Sequence, residues 1–492
     1  MIDTKTQKVA FNTVFQMTGK IISTGLSLWI IFVLTRYLGV AVYGEYTTIF
    51  AFVSFASIIA DFGFFWVLVR ELAKTDEHNN HFFNNLLSLK IVFSLVVFIL
   101  ASAIAFLIPQ YSMTVKIGIS VIAFGFFWTS LNSTFVGLFQ NKLQMYKAVV
   151  SDVIGRIIVL VVTLYLVSHN YDLTLILGAN VLGAFINFVI SYILGAKLIN
   201  FRFSAHLPTW GSIMRQSFPL AILTLVGTVN FRIDTIILSI MKTQVDVGIY
   251  GIPYKILEII ILIPTIFAGN ILPIMTRYFH DKDKRLAGSI QKSFDFLMFL
   301  GLPVIVGLSI LAKPIINFVG GSEYVSTSTL TVLGMSIAAP QILVILAVSI
   351  GFAFLTVMFS NLLIVAGKQK SQVIPMTIIT IINVIINIIF IPRYSYLAAS
   401  LANLVSNILL LVWWNKLTHR YIDFRLHLGT FYKIIFVTIL MGFITYYLRN
   451  INIFLVIFIS ASVYVFLAYL LKVFDKEMLK RLLPGSLKWK EQ

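Results

Sequence analysis

The chain has 492 residues, of which 59% are hydrophobic and only 11% are charged, with a mean hydropathy of +0.95. These values exclude the soluble globular class and predict an integral membrane protein. The net charge of +18 would suggest a nucleic-acid partner in a soluble protein, but most of the 37 Lys and Arg lie between apolar segments, so we expect no nucleic acid. There are no cysteines, which excludes disulfides, thiol catalysis and a cysteine metal site.

The apolar segments predict an all-α fold with about 14 transmembrane helices, because roughly 20 residues of helix cross a bilayer. The first six are predicted at residues 11–37, 45–70, 82–108, 115–139, 146–168 and 173–197. After a hydrophilic connector, six more are predicted at 217–241, 246–275, 290–312, 327–366, 372–392 and 396–416. The last two are predicted at 430–449 and 451–472.

These helices divide into an N-terminal lobe (1–199), a C-terminal lobe (200–425), helices 13 and 14 (426–474) and a basic cytoplasmic tail (475–492). The tenth predicted helix is too long for one crossing. We expect Pro340 and Gly351 to kink it, or part of it to be re-entrant.

The Lys and Arg outside the apolar segments lie mostly on one side. Alternate loops and both termini carry 26 of them, and the opposite loops carry six: Arg36, Lys116, Lys242, Lys313, Arg393 and Arg449. Because basic loops stay in the cytoplasm, we expect both termini there, in a multi-pass protein of the cytoplasmic membrane. The basic side would face anionic headgroups of the lipid bilayer. The five remaining cations fall inside predicted helices: Lys20, Lys90, Arg156, Arg232 and Lys255.

Arg232 lies near the middle of the seventh predicted helix. Serine and threonine side chains share an arc of about 80° with it on a helical wheel, and they are Ser217, Thr224, Thr228, Thr235 and Ser239. An ionisable group in such a helix indicates function, so we interpret this face as wet and Arg232 as a substrate-binding cation. The alternative is an ion pair with a neighbouring helix. Asp234 falls on the opposite face and is interpreted as a packing or partner-helix charge.

The first helix has a similar polar stripe, made of Asn12, Gln16, Lys20, Ser23 and Ser27. Lys20 is therefore a second candidate for substrate binding. The alternative is that Lys20 extends to the cytoplasmic surface, since it lies only about 15 Å into its helix.

The other buried charges leave several interpretations open. Lys255 is a third substrate-binding candidate, although Glu258 lies three residues away and can neutralise it. Asp61 shares a polar arc of the second helix and is either a coupling residue, a partner for a cation, or a packing carboxylate. Asp152 and Arg156, four residues apart, predict a structural ion pair. Lys90 is close enough to the helix end to reach the surface, and we expect Asn383 and Asn387 to hydrogen-bond between helices.

The two predicted lobes show weak internal sequence similarity. The first helix leads into Leu38–Tyr46, LGVAVYGEY, and the seventh leads into Val245–Gly251, VDVGIYG. Both segments carry Gly and Tyr before the next helix. Lys20 and Arg232 occupy comparable places in the two leading helices, and transporters commonly bind substrates between structural repeats.

Several short motifs resemble a known family. They are Leu34-Thr35-Arg36-Tyr37-Leu38-Gly39, Tyr43-Gly44-Glu45-Tyr46, Asp61-Phe62-Gly63, Arg70-Glu71, Ile391-Pro392-Arg393-Tyr394 and Leu397-Ala398-Ala399-Ser400. With them the chain resembles the polysaccharide-biosynthesis and O-antigen flippases of the multidrug/oligosaccharidyl-lipid/polysaccharide exporter superfamily. The resemblance implies two six-helix lobes around a central cavity, alternating access, and translocation of a lipid-linked oligosaccharide. The family's cationic cavity residues correspond by position to Lys20 and Arg232, with lysine where relatives often have arginine.

Three functions remain open. The first is a flippase for a polyprenyl-(pyro)phosphate-linked oligosaccharide, working with a polysaccharide polymerase or glycosyltransferases. The second is a multidrug or cation antiporter of the same superfamily, which should have an acidic cavity. The third is a membrane glycosyltransferase, which would need a large catalytic loop. No catalytic, cofactor or metal-binding motif stands out, so we expect a transporter without a cofactor; the glycan, the lipid and the coupling ion stay undetermined.

Overall fold

The structure is a computed structural model that describes residues 4–73 and 79–473. The first helices are α1 (Thr4–Asp61), α2 (Phe64–Leu72), α3 (Asn79–Leu107), α4 (Met113–Asn141), α5 (Met145–Ser168), α6 (Leu173–Ala196), α7 (Leu207–Met241) and α8 (Gln244–Ile260). They are followed by α9 (Leu262–His280), α10 (Arg285–Ile310), α11 (Ala312–Gly320), α12 (Ser322–Ser326), α13 (Ala339–Val365), α14 (Val373–Thr418), α15 (Gly429–Leu448) and α16 (Ile453–Leu470). The predicted basic tail, 475–492, lies outside the described residues.

The helices match the predicted transmembrane segments. Eleven stretches of the described chain are long and apolar enough to cross a membrane, and two of them, Phe15–Leu72 and Gln369–Thr418, are long enough for two crossings each. The helix α7 lies where the seventh crossing is predicted. The chain is therefore an all-α, multi-pass membrane protein, and the predicted number of about 14 helices is consistent with its structure.

Both double-length helices contain a break. In α1 the break is at Gly39, which has φ 68° and ψ −179°, a conformation that glycine adopts readily because it has no Cβ. The amide of Val40 donates to Glu323 Oε1 at 3.2 Å, so the backbone group beside the break is satisfied. In α14 the break is at Ser395, with φ 44°, three residues after Pro392. The Ser395 hydroxyl donates to Asp246 Oδ1 at 2.8 Å, which holds this unusual backbone.

The expected kinks in the tenth segment are wrong. The extra length forms a β-hairpin of β1 (Leu330–Val332) and β2 (Met335–Ile337), not a bent helix. Leu333 and Gly334 both have positive φ, 50° and 78°, as a two-residue type I′ turn requires. The helix α13 begins after the hairpin, so Pro340 lies in its first turn, where a missing N–H costs nothing. Gly351 stays helical and packs closely against Ile305.

The chain forms two compact units. The first contains the described residues up to Gly251 together with Val319–Glu323 and Val384–Ala399. Its core includes a cluster from α1, α3, α4 and α6, whose buried members include Ile49, Val53, Ile119 and Leu177. The second unit contains Ile252–Phe318, Tyr324–Asn383 and the described residues from Ser400 onward. Lys20, Asp61, Asp152, Arg156 and Arg232 all belong to the first unit.

Candidate functional site

Lys20 is exposed on the polar stripe of α1, where exposed means not covered by the rest of the chain. It makes no hydrogen bond or ion pair with any residue that the structure describes. Three other members of the stripe, Asn12, Ser23 and Ser27, bind α5 or the residues just before it. Asn12 is buried and fixes the start of α5, donating to Leu143 O at 2.6 Å and accepting from the Met145 amide at 2.8 Å.

The C-terminal part of the stripe, Ser23 and Ser27, hydrogen-bonds to a charge pair on α5. Arg156 Nε lies 3.4 Å from Asp152 Oδ1, so the predicted i, i+4 pair is present. Sequence reasoning missed its partners on α1: Ser23 donates to Asp152 Oδ2 at 2.6 Å, and Arg156 Nη1 donates to Ser27 Oγ at 2.8 Å. Only the presence of polar residues on one face of each helix indicated this contact, and such a pattern does not specify which two helices pack together. The polar stripe of α1 therefore both binds α5 and presents Lys20.

The face of α7 that carries Arg232 is buried at both ends, whereas Thr224 between them is exposed. Ser217, Thr235 and Ser239 are buried, and Ser239 Oγ lies 2.9 Å from the Tyr111 hydroxyl. Serine and threonine can satisfy themselves on helix carbonyls, so a row of them indicates helix packing as well as contact with water. Arg232 itself is half-buried, midway along this face.

Asp234, on the opposite face of α7, is fully buried and lies among polar groups, as expected for a partner-helix charge. Asn387 of α14 donates to Asp234 Oδ1 at 2.7 Å, and the Tyr250 hydroxyl lies 3.5 Å from Oδ2. Asn383 donates to Ser406 Oγ at 3.0 Å. The predicted hydrogen bonding of Asn383 and Asn387 is confirmed.

Asp61 meets a cation. Lys90 Nζ donates to Asp61 Oδ1 at 2.6 Å and to Ser133 Oγ at 2.6 Å. The expectation that Lys90 reaches the membrane surface is wrong: its side chain is 0% exposed, against 32% for Asp61. A lysine without a partner would be very costly there, so the pair explains how this burial is tolerated.

Lys255 and Glu258 form the predicted i, i+3 pair on α8, with Nζ and Oε2 2.9 Å apart. Both side chains are partly exposed, 39% and 21%. Lys255 thus carries a neighbouring carboxylate, whereas Lys20 has none among the described residues. No three His, Asp or Glu side chains of the described chain lie together in a way that could hold a metal ion.

The two similar segments, 38–46 and 245–251, pack against each other through their glycines. A Cβ on Gly44 would lie 1.8 Å from the carbonyl oxygen of Gln244, and a Cβ on Gly248 would lie 2.1 Å from the carbonyl oxygen of Val40. Only glycine permits such close backbone contact. The contact is reciprocal, as expected for two equivalent segments.

A comparison of the sequence with protein families identifies the chain's relatives. Residues 9–279, more than half of the chain, match the family described as polysaccharide biosynthesis protein. The chain belongs to this family. It is 21% identical to the capsular polysaccharide biosynthesis protein CapF of Staphylococcus aureus over 284 residues, which are 56% of this chain and 68% of CapF. It is 26% identical to the lipid II flippase MurJ of Bacillus subtilis over 334 residues, which are 61% of this chain and 58% of MurJ.

Solved structures show that this member of the polysaccharide biosynthesis family has a transporter fold. A lipid II flippase MurJ in an inward closed conformation matches with a TM-score of 0.74 at 17% identity, covering 95% of this chain and 99% of that one. An inward-facing MATE multidrug transporter of the MOP superfamily matches with a TM-score of 0.61 at 14% identity, covering 83% and 98%. The fold implied by the sequence motifs is confirmed.

Proposed function

We propose that the protein is a flippase that moves a polyprenyl-(pyro)phosphate-linked oligosaccharide across the cytoplasmic membrane for assembly of a cell-surface polysaccharide. Its family and its similarity to CapF and MurJ support a lipid-linked glycan as cargo. The observation that carries the proposal is Lys20, an exposed cation inside an apolar helix of membrane-spanning length. Such a cation is costly in hydrocarbon and indicates a water-filled path for an anion.

The physical problem in flipping this cargo is the diphosphate. Its dense negative charge has to leave water, and Lys20 and Arg232 can replace lost hydration with charge-assisted hydrogen bonds. Serine, threonine and asparagine side chains suit sugar hydroxyls, while the polyprenyl chain stays in the bilayer. The protein alternates between states open to either side, acts as a transporter without chemical change of the cargo, and has both termini in the cytoplasm, as the distribution of Lys and Arg supports.

The MATE-like fold supports a second candidate, a multidrug or cation antiporter. The charges inside the helices favour the flippase. Lys90, Arg156 and Lys255 each have a carboxylate partner, in the pairs Lys90–Asp61, Arg156–Asp152 and Lys255–Glu258. Lys20 is exposed, whereas the carboxylate of Asp234 is fully buried and accepts from Asn387. An exposed cation suits an anionic cargo and repels a cationic drug.

Depletion of the protein in its native cell tests this proposal. We expect lipid-linked glycan to accumulate in the cytoplasmic leaflet while its synthesis continues, measured by its accessibility to a membrane-impermeant glycosidase before and after lysis. Sensitivity to cationic drugs should stay unchanged. An unchanged leaflet distribution together with lost efflux of cationic dyes would instead support the antiporter.

A further inference from the structure

Arg156 has the geometry of an anion-binding residue, in addition to that of a structural pair. Its guanidinium is held at two points, by Asp152 on its own helix and by Ser27 on α1. The 3.4 Å separation from Asp152 is an ion-pair distance, and the buried Nε makes no hydrogen bond within the described chain. The side chain is 42% exposed, so part of its donor edge is open. A guanidinium offers five N–H donors in a fork that matches phosphate and carboxylate oxygens.

Asp152 is fixed by a different contact. Its Oδ2 accepts from Ser23 at 2.6 Å, and its Oδ1 faces Arg156. The carboxylate is therefore anchored to α1 and holds one edge of the guanidinium. This arrangement orients Arg156 before any ligand arrives, which lowers the entropy cost of binding.

Lys20 lies on the same flank of α1 as Ser27. The two residues are seven apart, so they differ by only about 20° around the helix and are separated by about 10 Å along it. Lys20 is exposed and has no partner among the described residues. Two long cationic side chains, Lys20 and Arg156, can thus approach an anion placed between them.

The opposite flank of the α1–α5 contact is apolar. An open groove of about 300 Å³ lies there, and its lining residues include Phe15, Ile22, Val150 and Ile154. Exposed charges in a membrane protein face water and exposed apolar side chains face lipid, so the flank with Lys20 and Arg156 is the aqueous one.

The spacing between the two helices is fixed. A Cβ on Gly19 would lie 2.1 Å from Val149 Cγ1, so α1 and α5 approach closely just beside Lys20. Asn12 ties the start of α5 to α1 with two hydrogen bonds. The cations are consequently carried by a rigid helix pair.

We propose that Arg156, together with Lys20, binds an oxyanion of the cargo, a phosphate of the lipid carrier or a carboxylate of an acidic sugar, and that Asp152 is a positioning residue for Arg156. This inference rests on the proposed flippase function and adds a subsite on α5 to it. An anion-binding role and a purely structural role of the Arg156–Asp152 pair predict different effects of charge-removing substitutions. Removing the negative partner should preserve anion binding, and removing the positive one should abolish it.

The test uses the full-length protein in nanodiscs and two probes, radiolabelled farnesyl diphosphate and a trimer of galacturonic acid. We expect Arg156→Gln to bind one of the two probes at least about 10-fold more weakly than the wild type does, because a charge-assisted contact is lost. Asp152→Asn keeps an oxygen that can accept from Arg156 and hold it in place, but it removes the competing negative charge, so it should bind as tightly as the wild type or more tightly. Asp152→Asn/Arg156→Gln should stay weak. Arg277→Gln, which removes the surface pair between Arg277 of α9 and Asp281 just after that helix, is the matched control and should bind normally.

The probe whose affinity depends on Arg156 identifies the source of the oxyanion. Equal affinity of Arg156→Gln and wild type for both probes would overturn the proposal, and so would recovery of binding and membrane abundance in the double variant, which a structural pair predicts. Binding of neither probe by the wild type would also overturn it. Flipping of lipid-linked glycan by the wild type, measured in parallel, tests the proposed function separately.

Discussion

Lys90 and Asp61 form an ion pair with a 2.6 Å separation in which the lysine side chain is entirely covered by protein. The two residues are 29 apart in sequence and lie on different helices, α3 and α1. A buried charge that loses its partner destabilises a protein far more than the pair stabilises it. Single and double variants of this pair can therefore distinguish a structural role of Asp61 from a role in coupling transport to an ion.

Asp61→Asn should reduce stability by about 3 to 5 kcal/mol, because the buried ammonium of Lys90 loses its carboxylate partner. Abundance in the membrane and the melting temperature in detergent measure this. The double variant Asp61→Asn/Lys90→Met should regain both. If the double variant is stable but does not transport, Asp61 is a coupling residue as well.

A surface pair of the same length serves as the control for this experiment. Arg285 and Asp283 lie 2.6 Å apart at the start of α10, and hydrogen bonding to Arg285 holds the pKa of the Asp283 carboxyl below its usual range. Asp283→Asn should leave abundance and melting temperature unchanged, since water replaces the lost partner. A comparable loss of stability in Asp61→Asn and Asp283→Asn would show that burial of a pair does not determine how much its loss destabilises the protein.

Gly44→Ala should block transport. The new methyl group would lie 1.8 Å from the Gln244 carbonyl oxygen, so the contact between the two repeated segments has to open. In the cysteine-free chain, a cysteine at Thr47 reports this opening through faster labelling by an impermeant maleimide. Gly25→Ala is the control, because nothing lies within 4 Å of its added Cβ. Normal transport by Gly44→Ala with unchanged labelling would show that the contact is not part of the transport cycle.

Single cysteines also test the orientation of the chain. Cysteines at positions 5, 206, 280 and 480 should react only from the cytoplasm, and those at 112 and 322 only from outside, because 26 loop and tail cations lie on the first side and six on the other. Reaction of 206 and 280 from opposite sides would remove one crossing and contradict the topology.

The helical fold could be predicted because each crossing has the length and apolarity that a bilayer demands. The hairpin could not: residues 330–337, LTVLGMSI, form an apolar run without a polar break, and only the turn geometry of Leu333 and Gly334 distinguishes it from helix. Local pairs such as Lys255–Glu258 follow from helix spacing alone. The pairing of Lys90 with Asp61 and the contact of Ser23 with Asp152 could not be predicted, since they depend on which helices become neighbours.

Arg232→Ala should reach the membrane at normal abundance but lose transport, because Arg232 is proposed to bind the cargo. Each lost charge-assisted contact should weaken substrate affinity roughly 10- to 150-fold. Lys20→Ala should behave in the same way, and Lys20→Arg should keep substantial activity since the cation remains. Loss of Arg232→Ala from the membrane would indicate a structural ion pair instead.

Flipping in reconstituted vesicles shows most directly whether this protein moves lipid-linked glycan. Purified protein is placed in liposomes with radiolabelled polyprenyl-diphosphate-linked oligosaccharide, and the fraction accessible to an external glycosidase is followed over time. The wild type should bring the inner-leaflet half within reach of the enzyme, and Arg232→Ala should leave it protected, as in protein-free liposomes. Equal protection in wild-type and protein-free liposomes, with exchange of a cationic dye instead, would exclude a flippase and favour an antiporter.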